Sequence, residues 1–300
     1  MCCVKQPTEL ALKGQGVEEW ADVHFFRPAG IWVARRLYAT PVSPDQVTLI
    51  CLAVGLVAGH LMVYHSVRLN VLGVALFIVS DVFDSADGQL ARLRGTSTRF
   101  GRILDGVSDT SRFLNLYIHL MVRLMVDGWG VSALFLMLAA ALSHSFQSAG
   151  ADFMRQAFLE LGEGEGSELD LPGEEPPPNV GSWFRRAVLR GYHDYIRRQA
   201  RMFAATVALI RRERSQGSDD EFRAAYRGLQ QTPITWCALI AQNIRFLLLA
   251  LTVVPGWTAG FMWLTLGPFN LVLLVLVAVH ERNATVLLGE IDQTAPAHVA

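Results

Sequence analysis

Long apolar runs leave this chain few folds to choose from. A helix needs about 20 apolar residues to cross a bilayer. Runs of about that length fall at roughly 47–65, 69–87, 101–126, 129–148, 233–254 and 257–280. Hydrophobic residues make up 52% of the 300 positions and charged residues 18%, against roughly 25% charged in soluble chains. The expected fold class is all-α: a polytopic membrane helix bundle of about six transmembrane helices, with an N-terminal interfacial helix and a cytoplasmic helical insertion. A formal net charge of −1 gives no sign of nucleic-acid binding, and no nucleic acid is expected as a partner.

The chain divides, on this reading, into residues 1–46 (a cytoplasmic segment and interfacial helix), 47–150 (spans one to four), 151–232 (a cytoplasmic insertion) and 233–300 (spans five and six with a tail). Between Val23 and Tyr38, Phe25, Phe26, Trp32 and Leu37 alternate with Arg27, Arg35 and Arg36, a pattern suited to a headgroup layer. Pro44, Asp45 and Thr48 precede the first span, with Asp45 expected to cap its helix. Gly162–Asn179 reads as a linker, and Trp183–Arg214 as an amphipathic helical stretch lying near the headgroups. The connections at His65–Arg68 and around Asp127 are poor in arginine, whereas the N-terminal segment, the Arg92–Arg102 loop and the insertion are rich in it. The positive-inside rule then places both termini in the cytoplasm of a cell with its inner (plasma) membrane as host. The four cysteines, Cys2, Cys3, Cys51 and Cys237, show no zinc-ligand spacing and are expected to be unpaired thiols.

Acidic residues recur at fixed intervals at the end of the second run and the start of the third: Asp84, Asp87, Asp105 and Asp109. On helices, Asp84 and Asp87 share one face, three apart, and Asp105 and Asp109 share another, four apart. Four carboxylates at the ends of two membrane helices repel each other strongly. Divalent cations between them would relieve that repulsion. The oxygen-only donor set suits Mg²⁺ or Mn²⁺.

The full pattern, D-x2-D-G-x2-A-R-x8-G-x3-D-x3-D from Asp84 to Asp109, has no gap or mismatch. It resembles the signature of the CDP-alcohol phosphatidyltransferase family. The resemblance implies a membrane transferase of phospholipid synthesis that moves a substituted phosphate group from a CDP-alcohol to an acceptor hydroxyl and releases CMP. It implies two divalent ions held by Asp84, Asp87, Asp105 and Asp109, with Asp109 as general base. Gly88, Ala91, Arg92 and Gly101 fall at the family's donor-binding positions. The small residues there allow close approach of the nucleotide, Gly101 is expected to let the two motif helices pack closely, and the arginine can fork onto phosphate. CDP-diacylglycerol is the expected donor, the bilayer the medium and a homodimer the common assembly. The family's usual Pro-Asn-x-x-Thr element appears with Asp45 in place of asparagine. A nucleotide substrate is cytoplasmic, which agrees with the arginine distribution.

Other polar residues inside the runs need partners, because burying them in lipid is costly. Arg245 and, beyond span four, Arg155 are candidate acceptor-binding residues; Asp152, His144, Gln147, Gln242 and Asn243 read as helix–helix hydrogen bonds or further substrate contacts. Asp81, one turn before Asp84, reads as a capping or supporting residue. Two alternatives use the same acids. An intramembrane prenyltransferase would carry a second Asp-rich motif, and none follows Asp109; a cation transporter would place acids at the bilayer midplane within inverted repeats.

Overall fold

The computed structural model describes residues 19–164, 169–174, 177, 181–217 and 219–294. All regular structure among them is helical. Cys2, Cys3 and much of the Gly162–Asn179 stretch lie outside the described residues. The chain forms two compact units. The first takes in residues up to Ser145 together with Gln242–Gly267, and the second Phe146–Ala241 together with the residues from Pro268 onward.

In the first unit, α1 (Arg27–Leu37) follows a π-helical turn at Asp22–Phe26. Phe25 and Trp32 are exposed, whereas Phe26 is buried. Next come α2 (Pro44–Leu61), α3 (Val67–Arg94) and α4 (Arg99–Leu124). Asp45 does not cap α2. Ser43 does, in a capping box with Gln46: the Gln46 N–H donates to Ser43 Oγ at 3.2 Å and the Ser43 N–H to Gln46 Oε1 at 2.9 Å. Pro44 fits the first helical position, where its missing N–H is not needed. Ser66 caps α3 and Thr98 caps α4, and Gly95, with φ 64°, ends α3 in the left-handed conformation that favours glycine. The helix α5 (Val131–Ala157) leaves this unit at its midpoint, and α9 (Gln242–Thr252) and α10 (Thr258–Leu266) complete it.

Lipid tails are as apolar as leucine, so helices in a bilayer are held by close packing and hydrogen bonds rather than by burial alone. Here α2 packs on both α3 and α4. Gly55 and Gly59 make the second contact possible: a Cβ on Gly55 would collide with the Arg112 side chain, and one on Gly59 with Asn115. At the start of the chain, Gly30 lets α1 approach α3, since a Cβ there would come within 2.6 Å of Ser85 Oγ. The main core joins Phe77, Phe113 and Phe246, with ring centroids 5.6–6.4 Å apart, to Leu116, Tyr117 and Leu120. A smaller core of Ala34, Val47, Ala86 and Leu90 supports the motif end of α3. Arg94 ties the α1–α2 connection to that end: it donates to the carbonyls of Leu37, Tyr38, Thr40 and Val42 at 2.6–3.0 Å.

The second unit holds α6 (Trp183–Met202), α7 (Ala204–Gln216), α8 (Asp220–Trp236) and α11 (Pro268–Thr294). The helical stretch from Trp183 to Arg214 divides at Phe203, whose ring is fully buried against Phe153 (4.5 Å) and His280 (5.6 Å). Glu281 then caps α7. Its carboxylate accepts from the Ala205 and Thr206 N–H groups at 2.7 and 3.0 Å, a negative charge at a helix N-terminus. The apolar side of α6 is buried through Val188, Leu189 and Ile196, which leaves Trp183 and Phe184 as its exposed apolar residues. Arg214 forks onto Glu160 and Glu174. Cys51 and Cys237 are unpaired and buried.

Five segments among the described residues are long and apolar enough to cross a membrane: Pro44–Leu61, Val67–Arg94, Val131–Glu163, Asp220–Thr252 and Thr258–Glu290. The expected third run, 101–126, is the helix α4. At about 1.5 Å per residue its 26 residues are long enough, but Arg99, Arg102, Asp105, Asp109, Arg112 and Arg123 keep it out of the apolar set. Two of those charges, Arg112 and Arg123, are buried inside the unit.

Candidate active site

The motif acids occupy the last turns of α3 and the first turns of α4. Three of the four converge: Asp84, Asp105 and Asp109 each bring a carboxylate oxygen to within 4.8 Å of the others. All three are partly exposed. The helix spacings account for this. Asp105 and Asp109 stack on one face of α4, and Asp84 meets them from α3. The donors are hard oxygens, with the Cys51 thiol 3.6 Å from Asp84 Oδ1. Such a set fits Mg²⁺ or Mn²⁺ better than a thiophilic metal.

Asp87 stands apart from the trio. It is buried, and its Oδ2 accepts a hydrogen bond of 2.5 Å from Thr48 Oγ1 on α2. Thr48 is the threonine of the Pro-Asp-x-x-Thr element, so that element supports an acid of the motif directly.

A cation already belongs to the site. Arg112, one turn beyond Asp109, is 1% exposed. Its Nη2 donates to Asp84 Oδ1 at 3.1 Å and to Asp109 Oδ1, and its Nη1 to Asp81 Oδ1 at 2.9 Å and Ser80 Oγ at 2.8 Å. Asp81 in turn accepts from Gln242 Nε2 of α9 at 2.5 Å. Arg112 lies outside the motif; its three-residue spacing from Asp109 was the one signal that could have found it, and nothing in the sequence joined it to Asp81 or Asp84.

The remaining candidates are placed as follows. The Arg92 guanidinium lies over Gly88, where a Cβ would sit 3.5 Å from Nη1. Ala91 is on the same helical turn and partly exposed. Gly101 was expected to let the two motif helices approach. Its nearest neighbours are instead Thr98 Oγ1 of its own cap, 3.1 Å from a Cβ, and Asp45 Oδ1 of α2, at 3.8 Å. Arg245 is buried beside Tyr117 and His144, and Tyr117 Oη is 3.2 Å from His144 Nδ1. Arg155 is on the last turn of α5 in the second unit. There Asp152 accepts from Tyr195 at 2.7 Å, and Gln147 donates to Asn270 at 2.7 Å. Asn243 donates to Glu19 and Asp22 at 2.8 and 3.0 Å.

Residues 41–157 match the family model for CDP-alcohol phosphatidyltransferase. This segment contains α2–α5 and the whole acidic motif. It is 33% identical over 114 residues to a bifunctional IPC transferase and DIPP synthase of Rubrobacter xylanophilus, a stretch that covers 35% of this chain and 26% of the relative. Over 102 residues it is 33% identical to a phosphatidylinositol phosphate synthase of Mycobacteroides abscessus, covering 34% of this chain and 45% of the relative. The matched stretches thus span less than half the length of these curated relatives.

Proposed function

We propose that this chain is a membrane transferase that moves a substituted phosphate group from a CDP-alcohol to an acceptor hydroxyl, with release of CMP, in phospholipid synthesis. The observation that carries the reading is the meeting of Asp84, Asp105 and Asp109 within 4.8 Å on the motif of a segment that matches this family. Nothing in the geometry favours a prenyltransferase or a transporter.

Asp84, Asp105 and Asp109 would hold Mg²⁺ or Mn²⁺, and Asp87, fixed by Thr48, completes the carboxylate set for a second ion. When bound, such ions neutralise the donor diphosphate and acidify a nearby hydroxyl. Asp109 takes the proton of the acceptor hydroxyl, whose oxygen then forms a bond to the β-phosphorus as the bond to the CMP oxygen breaks. Gly88, Ala91 and Gly101 leave space for the nucleotide, and Arg92 forks onto its phosphates. CDP-diacylglycerol is the proposed donor. The relatives' names differ in product, and acceptor choice rests on residues outside the motif. Of the acceptor-side candidates, Arg155 stays open, whereas the enclosure of Arg245 with Tyr117 and His144 supports a packing role better than a substrate contact. The arginine distribution supports an inner-membrane protein with the site and both termini in the cytoplasm, and the family resemblance supports a homodimer.

The test is CMP release by the purified chain in lipid with Mg²⁺ or Mn²⁺, each CDP-alcohol being offered against a panel of acceptor alcohols. Release with one donor–acceptor pair, lowered about 10²-fold or more in Asp109→Asn, is the expected result. Full turnover in that variant would remove Asp109 as the base. No CDP-alcohol binding in the presence of metal would overturn the reading.

A further inference from the structure

Arg112 makes four contacts through two nitrogens, and their arrangement assigns it a task. Nη1 is spent on Ser80 and Asp81, neither of which is a member of the carboxylate trio. Nη2 takes Oδ1 of both Asp84 and Asp109, two members of the trio. Both side chains keep some exposure, at 26% and 36%. The guanidinium therefore restrains the rotation of two of the three converging carboxylates.

Arg112 is itself held from three directions. Gly55 on α2 leaves the channel through which its aliphatic stem runs. Ser80 Oγ accepts from it while donating to the Cys51 carbonyl at 2.8 Å. Asp81 is locked between Arg112 and Gln242, which brings α9 into the arrangement. A planar fork suits this work because its donors have fixed directions, whereas a lysine ammonium is a point charge on a flexible stem.

We infer that Arg112, held by Asp81 and Gln242, is a positioning residue that sets the orientation of Asp84 and Asp109 for divalent-cation binding. This rests on the metal-site reading above. The alternative role is charge alone, a counter-ion that offsets surplus acid. The two roles predict opposite signs. A guanidinium close to bound metal repels it, so if charge were all, removing Arg112 would tighten the metal. If Arg112 positions the ligands, removing it loosens the metal, as loss of an outer partner of a ligand does, by 10- to 100-fold as a rough guide.

The experiment is Mn²⁺ binding to the full chain in lipid nanodiscs, read by electron paramagnetic resonance without substrate. Arg112→Gln, Arg112→Lys and Gln242→Leu are compared with wild type, and thermal unfolding checks each fold. We expect Arg112→Gln and Arg112→Lys to weaken Mn²⁺ binding about tenfold or more. Gln242→Leu, one step further from the cation, should weaken it by a smaller factor, and it keeps the test decisive if an Arg112 variant does not fold. Unchanged or tighter Mn²⁺ binding in the folded variants would overturn the positioning role while leaving the metal site standing. A wild-type chain that binds no Mn²⁺ would overturn both.

Discussion

Thr48 on α2 and Asp87 on α3, 39 residues apart in the chain, are joined by a hydrogen bond of 2.5 Å. The threonine sits in the first turns of α2, where Ser43 fixes the helix start. Its bond sets one oxygen of a motif acid that does not join the other three.

Replacing Thr48 by valine keeps the shape and removes the donor, leaving a buried carboxylate oxygen unsatisfied. A hydrogen bond to a charged group contributes roughly 1.5–3 kcal/mol, so Thr48→Val should lower kcat/KM by about tenfold or more. Thr48→Ser should keep most activity. Steady-state CMP release measures both, and equal rates for valine and wild type would detach Thr48 from the site.

Metal removal should separate the four acids. Chelation is expected to abolish CMP release, and Mg²⁺ or Mn²⁺ to restore it. Because Asp84, Asp105 and Asp109 converge while Asp87 stands apart, Asp105→Asn should weaken Mn²⁺ binding more than Asp87→Asn. A titration in which Asp87→Asn has the larger effect would contradict the trio.

Gly55 faces the stem of Arg112, so Gly55→Ala forces a methyl group into filled space. Overpacking of this kind costs roughly 1–3 kcal/mol, and the unfolding temperature in detergent should fall. Gly228 on α8 has open space around its missing Cβ. There Gly228→Ala should be neutral or raise the temperature, since alanine favours a helix by roughly 1 kcal/mol over glycine.

The second unit should respond to acid through Glu174. Partial burial opposes its ionisation, but the Leu171 N–H and Arg214 outweigh that and hold its carboxyl below the usual range. A folded pKa lower than the unfolded one gives a contribution fully present above the unfolded value, near pH 4.3 as a rough guide. That contribution is lost as pH falls through the folded value. Glu174→Gln should therefore flatten the acid side of a stability-against-pH curve, followed by proteolysis of the 169–174 segment. A curve unchanged by the substitution would show that the Arg214 pair contributes nothing there.

Much of this protein was legible in the sequence because the relevant rules are local. Apolar length announces membrane helices, since a backbone in lipid must satisfy its own hydrogen bonds. The spacing of Asp84, Asp87, Asp105 and Asp109 fixes which acids share a helix face, and their match to one family fixes the chemistry to expect. What the sequence could not supply depends on where helices cross. Nothing in the run around Phe113 says that Arg112 reaches Asp81 and Asp84, because contacts at separations of 31 and 28 residues follow from helix packing and not from period. The same holds for Thr48 choosing Asp87, for Ser43 displacing Asp45 as the cap, and for Phe203 dividing a helical stretch where its ring is buried. The sequence by itself determined the class of fold and the acids of the site. Only the tertiary structure decided which acids meet and which cation orients them, because side-chain partners across a bundle are set by the close approach that Gly55 and Gly59 permit between α2 and α4.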